Sequence, residues 1–544
     1  MITKQEWKFV GWVGVAVVLL TSLPLVFGYF SAPPQTTFLF RSNNNAFDIA
    51  VYYSKIEQVK AGQVFLKYLF TSEAQAVGVI SPFWLMVGWF AKLFSLPAFA
   101  AYQLARLALI PVFLATAYWL GTFFLQDIVK RKIYFLLLVF ASGWGWLALV
   151  ALNLLHTDVA SILDINVPEA FAFLSLYAQP NFVASLVLII LIFVFSLLAF
   201  TSYRYKYTFL AAVSAFVLFS FHPYHVPTVF GVLGMMALVL AIKEKRINVR
   251  RILHMVIMGL FSLPPVLYYA WAIANIPAMY QHSLQNITLT PNILITVMSY
   301  GLLLPLALLG SFTIFKKKDK TIADIFLLVW FFTQSCLIYL PIKTQQRLVE
   351  GLQIPMVLLV VCGLFFLKDF LWQKPFFQKA VMRYGQFFKD FPVRFFIGLA
   401  LIFLFCFSSV FVLVNDMAMY QQGNMYFYIS DDKLQAMRWL KDVPENSAIL
   451  SLLENGNLIP AFSVKQVFLG HGHETAHFIQ KRAAVDYFFE KSSAPEREAI
   501  LKQYGITHIF FGPEEKKKAH FNPDDDAFLT KVFQNSSVAI YAVD

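Results

Sequence analysis

Eleven apolar runs follow one another along the first three quarters of this chain, near residues 8–30, 98–125, 133–154, 181–201, 207–222, 225–242, 250–274, 292–315, 321–340, 351–368 and 393–415. Each approaches or exceeds the roughly 18 residues that a helix needs to cross a bilayer. A hydrocarbon interior offers the backbone no hydrogen-bond partners, so runs of this kind must fold as helices. Composition allows no other class. Apolar residues make up 59% and charged residues 14%, with a mean hydropathy of +0.65, against about 25% charged in a soluble domain. A cytosolic enzyme and a disordered chain are both excluded. The sequence predicts a polytopic α-helical membrane protein with about eleven transmembrane helices. The first run follows Lys4 and Lys8, is longer than a signal-peptide core and lacks a small-residue cleavage site, so it reads as a retained anchor. Residues 79–96, with Pro82, Gly88 and Lys92, are short and read as a re-entrant or interfacial helix.

Charge gives the expected orientation. Residues 416–544 carry 13 Lys and Arg against 17 Asp and Glu, a net of −4, so that residues 1–415 carry +16 and the whole chain +12. The basic residues cluster between apolar runs: Lys130–Lys132, Arg204 and Lys206, Lys243–Arg251, Lys316–Lys320, and Lys368 to Arg394. That is the pattern of cytoplasmic loops rather than of a nucleic-acid surface, and no nucleic-acid partner is expected. With these clusters inside, the N-terminus is cytoplasmic and loops 31–78 and 155–180 lie outside. The outer loop 155–180 carries Asp158, Asp164 and Glu169. Cys336, Cys362 and Cys406 all fall in apolar runs and read as small packed hydrophobes.

After about Tyr420 the chain becomes polar and its periodicity alternates. Helices are predicted over Asp431–Lys441 (N-capped by Ser430), Glu474–Glu490 and Pro495–Tyr504. Strands are predicted over Ser447–Leu453, Thr507–Phe511 and Val538–Val543. The expected organisation is a transmembrane domain over 1–415 and a small extracytoplasmic α/β domain over 416–544.

Several residues could carry chemistry. Asp48, in Phe47-Asp48-Ile49, stands where a carboxylate could act as general base on an acceptor hydroxyl; the bland reading is a solvated loop aspartate or the N-cap of the following helix. Glu169 follows Pro168, which spacing alone reads as an ordinary helix start. Arg106 lies inside an apolar run, so it faces the bundle interior or snorkels to headgroups. Lys343 and Arg347 occupy a short outer loop against the charge rule and call for an anionic partner, such as a lipid phosphate, or for anionic headgroups. His222-Pro223-Tyr224-His225 forms a corner between two runs. As a metal pair its histidines find nothing nearby to complete a set, and polar plugs at a helix break are preferred. His473-Glu474-Thr475-Ala476-His477 matches the zinc-protease pattern H-E-x-x-H, but Gly470-His471-Gly472 directly precedes it, where a helix should already run.

Taken together, these segments resemble the GT-C superfamily of polytopic membrane glycosyltransferases, in the bacterial type with an outer C-terminal domain. The resemblance rests on Phe47-Asp48…Tyr53…Gly62, on Pro168-Glu169-Ala170…Ser175-Leu176-Tyr177…Pro180, and on His222-Pro223-Tyr224. It continues in Arg347…Gly351-Leu352…Pro355 and in Ile459-Pro460-Ala461…Gly470-His471…Thr475. It implies inverting transfer of a sugar from a polyprenyl phosphate to a glycan, lipid or protein acceptor at the extracytoplasmic face of the cell membrane. Asp48 would be the base, with Glu169 as a second catalytic acid group. Arg106, Lys343 and Arg347, with His222 and Tyr224, would hold the lipid-linked substrate. The paired acidic motif often found in such a first loop is absent, so no cofactor is expected, while room remains for a divalent cation. The alternatives are a transporter or flippase of lipid-linked glycans, which should show inverted repeats and broken helices, and a zinc metalloprotease using His473 and His477.

Overall fold

The computed structural model describes residues 2–154, 161–384 and 391–544. Among the described residues eight helices are long and apolar enough to cross a membrane: Lys4–Phe30, Ala98–Phe124, Ile128–Leu154, Pro180–Ser202, Pro223–Glu244, Val249–Asn275, Gln353–Trp372 and Leu399–Gln421. A ninth candidate is a bent pair, Ile293–Tyr300 and Leu303–Lys316, meeting at 84°. Two shorter apolar helices, Tyr205–Phe219 and Ile322–Leu337, account for the two remaining runs. This is a multi-pass helical membrane protein with a small C-terminal α/β region. The three cysteines are free. Asp158 lies outside the described residues.

The chain divides into two compact units. The first comprises Met1–Pro24, Arg106–Val266 and Thr288–Asn415, and a single apolar core runs through it. The bend in the ninth candidate falls at Gly301, whose φ of +50° a side chain would strain. Two bonds tie the bend to its neighbours: the Trp144 N–H donates to the Met298 carbonyl at 2.8 Å, and the Leu163 N–H donates to the Ser299 hydroxyl at 3.1 Å. Leu303–Lys316 lies directly against Gln353–Trp372. A Cβ on Gly310 would stand 1.9 Å from the Leu359 carbonyl oxygen, and one on Gly363 would stand 2.2 Å from that of Leu306. Small residues allow such backbone contact where lipid supplies no hydrophobic drive.

The second unit comprises Leu25–Ala105, Leu267–Ile287 and Asp416–Asp544. Its sheet runs, in spatial order, Gln466–Val467, Ala448–Leu450, His508–Phe511, Ala539–Val543 and Leu529–Gln534. The first three strands are parallel and the last two pair antiparallel. Parallel neighbours need a crossover, and helix Leu453–Ser463 supplies one. The expected helices appear as Asp431–Trp439, capped by Ser430, and Ala494–Tyr504. The third differs. It begins at Phe478 rather than Glu474, because side chains satisfy the preceding backbone donors: His471 Nδ1 accepts from the His473 and Glu474 N–H groups, and Thr475 Oγ1 from those of Gly470 and His471.

The first long loop belongs to this unit. Thr36–Phe38 pairs antiparallel with Tyr428–Ser430, and Leu39 and Ala50 lie in one apolar cluster with Ile429, Met437, Ile449 and Phe510. Helix Ala46–Lys60 packs on Pro82–Leu93, where a Cβ on Gly88 would stand 2.4 Å from Val59 Cβ. Twelve residues make a helix of about 18 Å, too short to cross about 30 Å of hydrocarbon. Its open face, Met86, Trp89, Phe90 and Leu93, is apolar at helical spacing, as an interfacial helix requires.

The glycine contact is testable. Gly310→Ala and Gly363→Ala should each lower the stability of the purified protein by about 1–3 kcal/mol, the usual effect of overpacking. Gly234→Ala, with nothing within 4 Å of its added Cβ, should not. Thermal unfolding in detergent would show the difference, and equal effects at all three positions would refute the contact.

Candidate functional site

Asp48 lies in the first turn of helix Ala46–Lys60, where the helix dipole favours a negative group. The chain enters that helix through Asn45, held at φ 67°. The preceding segment is fixed by Arg41, which is buried and donates to the carbonyl of Ala46 at 3.1 Å, to Asn457 Oδ1 at 3.2 Å and to the carbonyl of Tyr426. Asn457 in turn donates to the carbonyls of Phe47 and Gly470. These contacts bring His471 to Asp48, with Nε2 3.0 Å from Oδ1. The histidine's tautomer follows from its own backbone contacts. Nδ1 accepts two N–H groups, so the proton resides on Nε2 and is donated to Asp48. His471 is thereby an orienting donor and not itself the base. In the sequence His471 stands without a role, since no local signal links it to Asp48, 423 positions away.

Beside this pair are His473, Glu474 and His282. His282 Nδ1 is 3.9 Å from Glu474 Oε1 and 3.2 Å from the His473 carbonyl oxygen. Burial holds both His282 and His473 below the usual imidazole range, with Glu474 pulling His282 and Asp48 pulling His473 partly back. The H-E-x-x-H segment is not helical: His473 and Glu474 lie in turns, and His477, at φ 55°, precedes the helix. Its two histidines therefore do not share the helical face that zinc-protease chemistry uses.

In the other unit, Glu169 sits in a short 3-10 turn, Pro168–Ala170, 3% exposed. Arg347 Nη1 donates to its Oε1 at 2.7 Å. Proline before glutamate does start a turn, but the carboxylate points to an ion pair 178 positions away. Arg347 comes from the turn Gln345–Val349, and Lys343 just before it is exposed. Arg106 is 1% exposed and donates to Thr21 Oγ1 at 2.9 Å, to the Leu176 carbonyl at 3.0 Å and to Ser22 Oγ at 3.3 Å. It does not snorkel: it clamps helix Ala98–Phe124 to Lys4–Phe30 and to Ala172–Ala178.

The corner Pro223–His225 packs on the turn Gln345–Val349. His225 Nε2 donates to Glu350 Oε2 at 2.8 Å, and Tyr224 Oη donates to the same oxygen at 3.2 Å. His222 Nδ1 lies 3.9 Å from it. Burial pushes the Glu350 carboxyl up, His225 draws it back and Glu169 adds to the rise. The sequence reading found nothing to complete the histidine pair; Glu350, 125 positions on from His225, does so. Among the described residues this is the one place where three such ligand atoms gather, within 4.8 Å of one another.

No family model matches the sequence, and no curated protein does. Among solved structures, the chain aligns with the Archaeoglobus fulgidus oligosaccharyltransferase in its apo form over 94% of its own length and 70% of that chain, with 12% identity and a TM-score of 0.48. It aligns with ArnT from Cupriavidus metallidurans bound to undecaprenyl phosphate over 98% of each chain, with 12% identity and a TM-score of 0.47. A third is archaeal AglB from Archaeoglobus fulgidus with an inhibitory peptide and a dolichol-phosphate, at 13% identity, 92% of this chain, 69% of that one and a TM-score of 0.46. These are likenesses in chain course and assign no residue a role.

The Glu169–Arg347 pair gives a direct test. Removing either partner, as Glu169→Gln or Arg347→Gln, should cost about 1.5–3 kcal/mol, the scale of a charge-assisted hydrogen bond. The double variant should lose less than the sum of the two. Additive losses in thermal unfolding would mean that the two side chains act independently.

Proposed function

We propose that this chain is a membrane glycosyltransferase of the GT-C type, which moves a sugar with inversion from a polyprenyl phosphate to an acceptor hydroxyl at the extracytoplasmic face. The observation that carries the reading is Asp48: a carboxylate at a helix start in the first long loop, held by a histidine whose proton position is set by backbone amides. A base must be held in a fixed orientation towards the hydroxyl it deprotonates, and the His471 Nε2–H fixes Asp48 through its Oδ1.

In the proposed reaction the acceptor oxygen attacks the anomeric carbon as its proton passes to Asp48. The bond from that carbon to the phosphate oxygen breaks, and its electron pair leaves with the polyprenyl phosphate. A phosphate departs readily when cations share its charge. For that task Lys343, exposed in its loop, is the first candidate, since Arg347 Nη1 is already engaged by Glu169. Glu169 then acts through Arg347 as a positioning residue. Arg106 directs three donor contacts at protein acceptors, which suits a structural clamp. In this reading the N-terminus is cytoplasmic and residues 416–544 face outward.

The bent pair at Gly301 is the kind of broken helix a lipid-glycan transporter would use. The Trp144 N–H already occupies the Met298 carbonyl beside the break, whereas a transport site leaves such groups to the substrate.

Purified protein incubated with a panel of polyprenyl-phosphate sugars should consume at least one donor. Asp48→Asn should lower transfer by about a hundredfold or more while donor binding persists, because the asparagine carbonyl still accepts from His471. Glu474→Gln should cost little. An unimpaired Asp48→Asn variant would remove the base, and folded protein that consumes no donor would favour the transporter.

A further inference from the structure

We infer that the corner formed by His222, His225 and Glu350 is a binding site for one divalent transition-metal ion of the zinc type. The inference rests on the helical unit alone and stands apart from the transferase reading. Two imidazoles and one carboxylate, all buried, offer ligand atoms within 4.8 Å of one another. Bond lengths of about 2.0–2.2 Å to nitrogen and oxygen set neighbouring ligands roughly 3.0–3.5 Å apart. The separations of 2.8 Å from His225 Nε2 to Glu350 Oε2 and 3.9 Å from His222 Nδ1 to the same oxygen bracket that value. Side-chain adjustments of up to about one and a half ångström bring all three ligand atoms to that spacing.

Charge favours a cation here. Glu350 is 0% exposed, and Glu169, close enough to act on it electrostatically, is 3% exposed. Arg347 donates to Glu169, and Glu350 Oε2 accepts from His225 and from the Tyr224 hydroxyl. Glu350 Oε1 has no hydrogen-bond partner among the described residues, an arrangement that is expensive for a buried carboxylate. A divalent ion would compensate the carboxylate charge directly.

For His222 a second layer is also present, whereas His225 Nδ1 has no hydrogen-bond partner among the described residues. Metal-bound histidines usually donate their other ring N–H to a fixed acceptor. His222 Nε2 lies 3.3 Å from the Asn181 amide, whose Oδ1 has no hydrogen-bond partner among the described residues. Turning that amide end for end would let Oδ1 accept from Nε2–H and leave the Nδ1 lone pair towards Glu350. Ser185 Oγ, now on Nδ1, has the Asn181 carbonyl oxygen as an alternative acceptor at 3.1 Å. Imidazole and carboxylate together suit zinc or cobalt, whereas Mg2+ and Ca2+ prefer all-oxygen sites. Three protein ligands leave a fourth position for water or an anionic group.

The test uses the full-length protein in detergent, stripped with a chelator and titrated with Zn2+ by calorimetry. One equivalent should bind saturably, and Mg2+ should not replace it. Glu350→Gln and His222→Gln should each weaken binding by a hundredfold or more, while a His473→Gln/His477→Gln double variant binds as the parent does. Should the first two variants fail to fold, Co2+ added to the parent protein decides the matter: visible absorption of a four- or five-coordinate nitrogen and oxygen site is expected. Absence of a saturable site, undiminished affinity in folded Glu350→Gln, loss of binding in the His473/His477 variant, or the octahedral spectrum of aqueous Co2+ would each overturn the inference.

Discussion

A polar loop that follows a membrane helix carries backbone groups that must find partners, and outside its helix Ala46–Lys60 the first long loop of this chain finds several of them in the C-terminal region. Its short strand Thr36–Phe38 is completed by Tyr428–Ser430, and Val467 N–H donates to the Leu69 carbonyl. Thr475 Oγ1 donates to the Phe70 carbonyl, while the Lys481 ammonium reaches Thr71, Ser72 and Glu73. The loop and the C-terminal region therefore form one folded body. The placement of Asp48 depends on this. Arg41 and Asn457 hold the turn before its helix, and His471 holds the carboxylate itself.

The helical unit solves a related problem with charges. A buried ion is tolerated in such a bundle when it is paired or fully hydrogen-bonded. Glu6, 1% exposed, accepts from Arg131 at 2.8 Å and from the Tyr118 hydroxyl. Arg106 spreads its charge over two hydroxyls and a carbonyl, and Glu169 takes Arg347. Glu350 takes its hydrogen bonds from His225 and from the Tyr224 hydroxyl.

Much of this architecture was legible in the sequence because its signals are local. Length and apolarity locate a span wherever it lies, and each of the eleven runs is a helix or a bent pair. Ser430 announces its cap from three residues away. Helix Leu453–Ser463 was missed because Gly456 and Pro460 look like breakers. Gly456 is required there, since a Cβ would stand 1.9 Å from the Leu469 carbonyl oxygen. Strand Leu529–Gln534 was missed because it is a half-exposed edge without strict alternation. The site was less legible for a different reason. Asp48, Glu169 and Arg347 could be singled out by type and context, but His471 and Glu350 acquire meaning only from partners 423 and 125 positions away.

The pairing of Arg41 with Asn457 has a consequence for how the protein is made. The two are separated by 416 residues, so at roughly 5–20 residues per second the ribosome needs about 20–80 s to deliver the second after the first. For that interval the segment around Asp48 has emerged without the partners that shape it, while helices of the bundle are still being inserted. A chain cut short anywhere before the last hundred or so residues thus loses the order of its first loop as well as its tail.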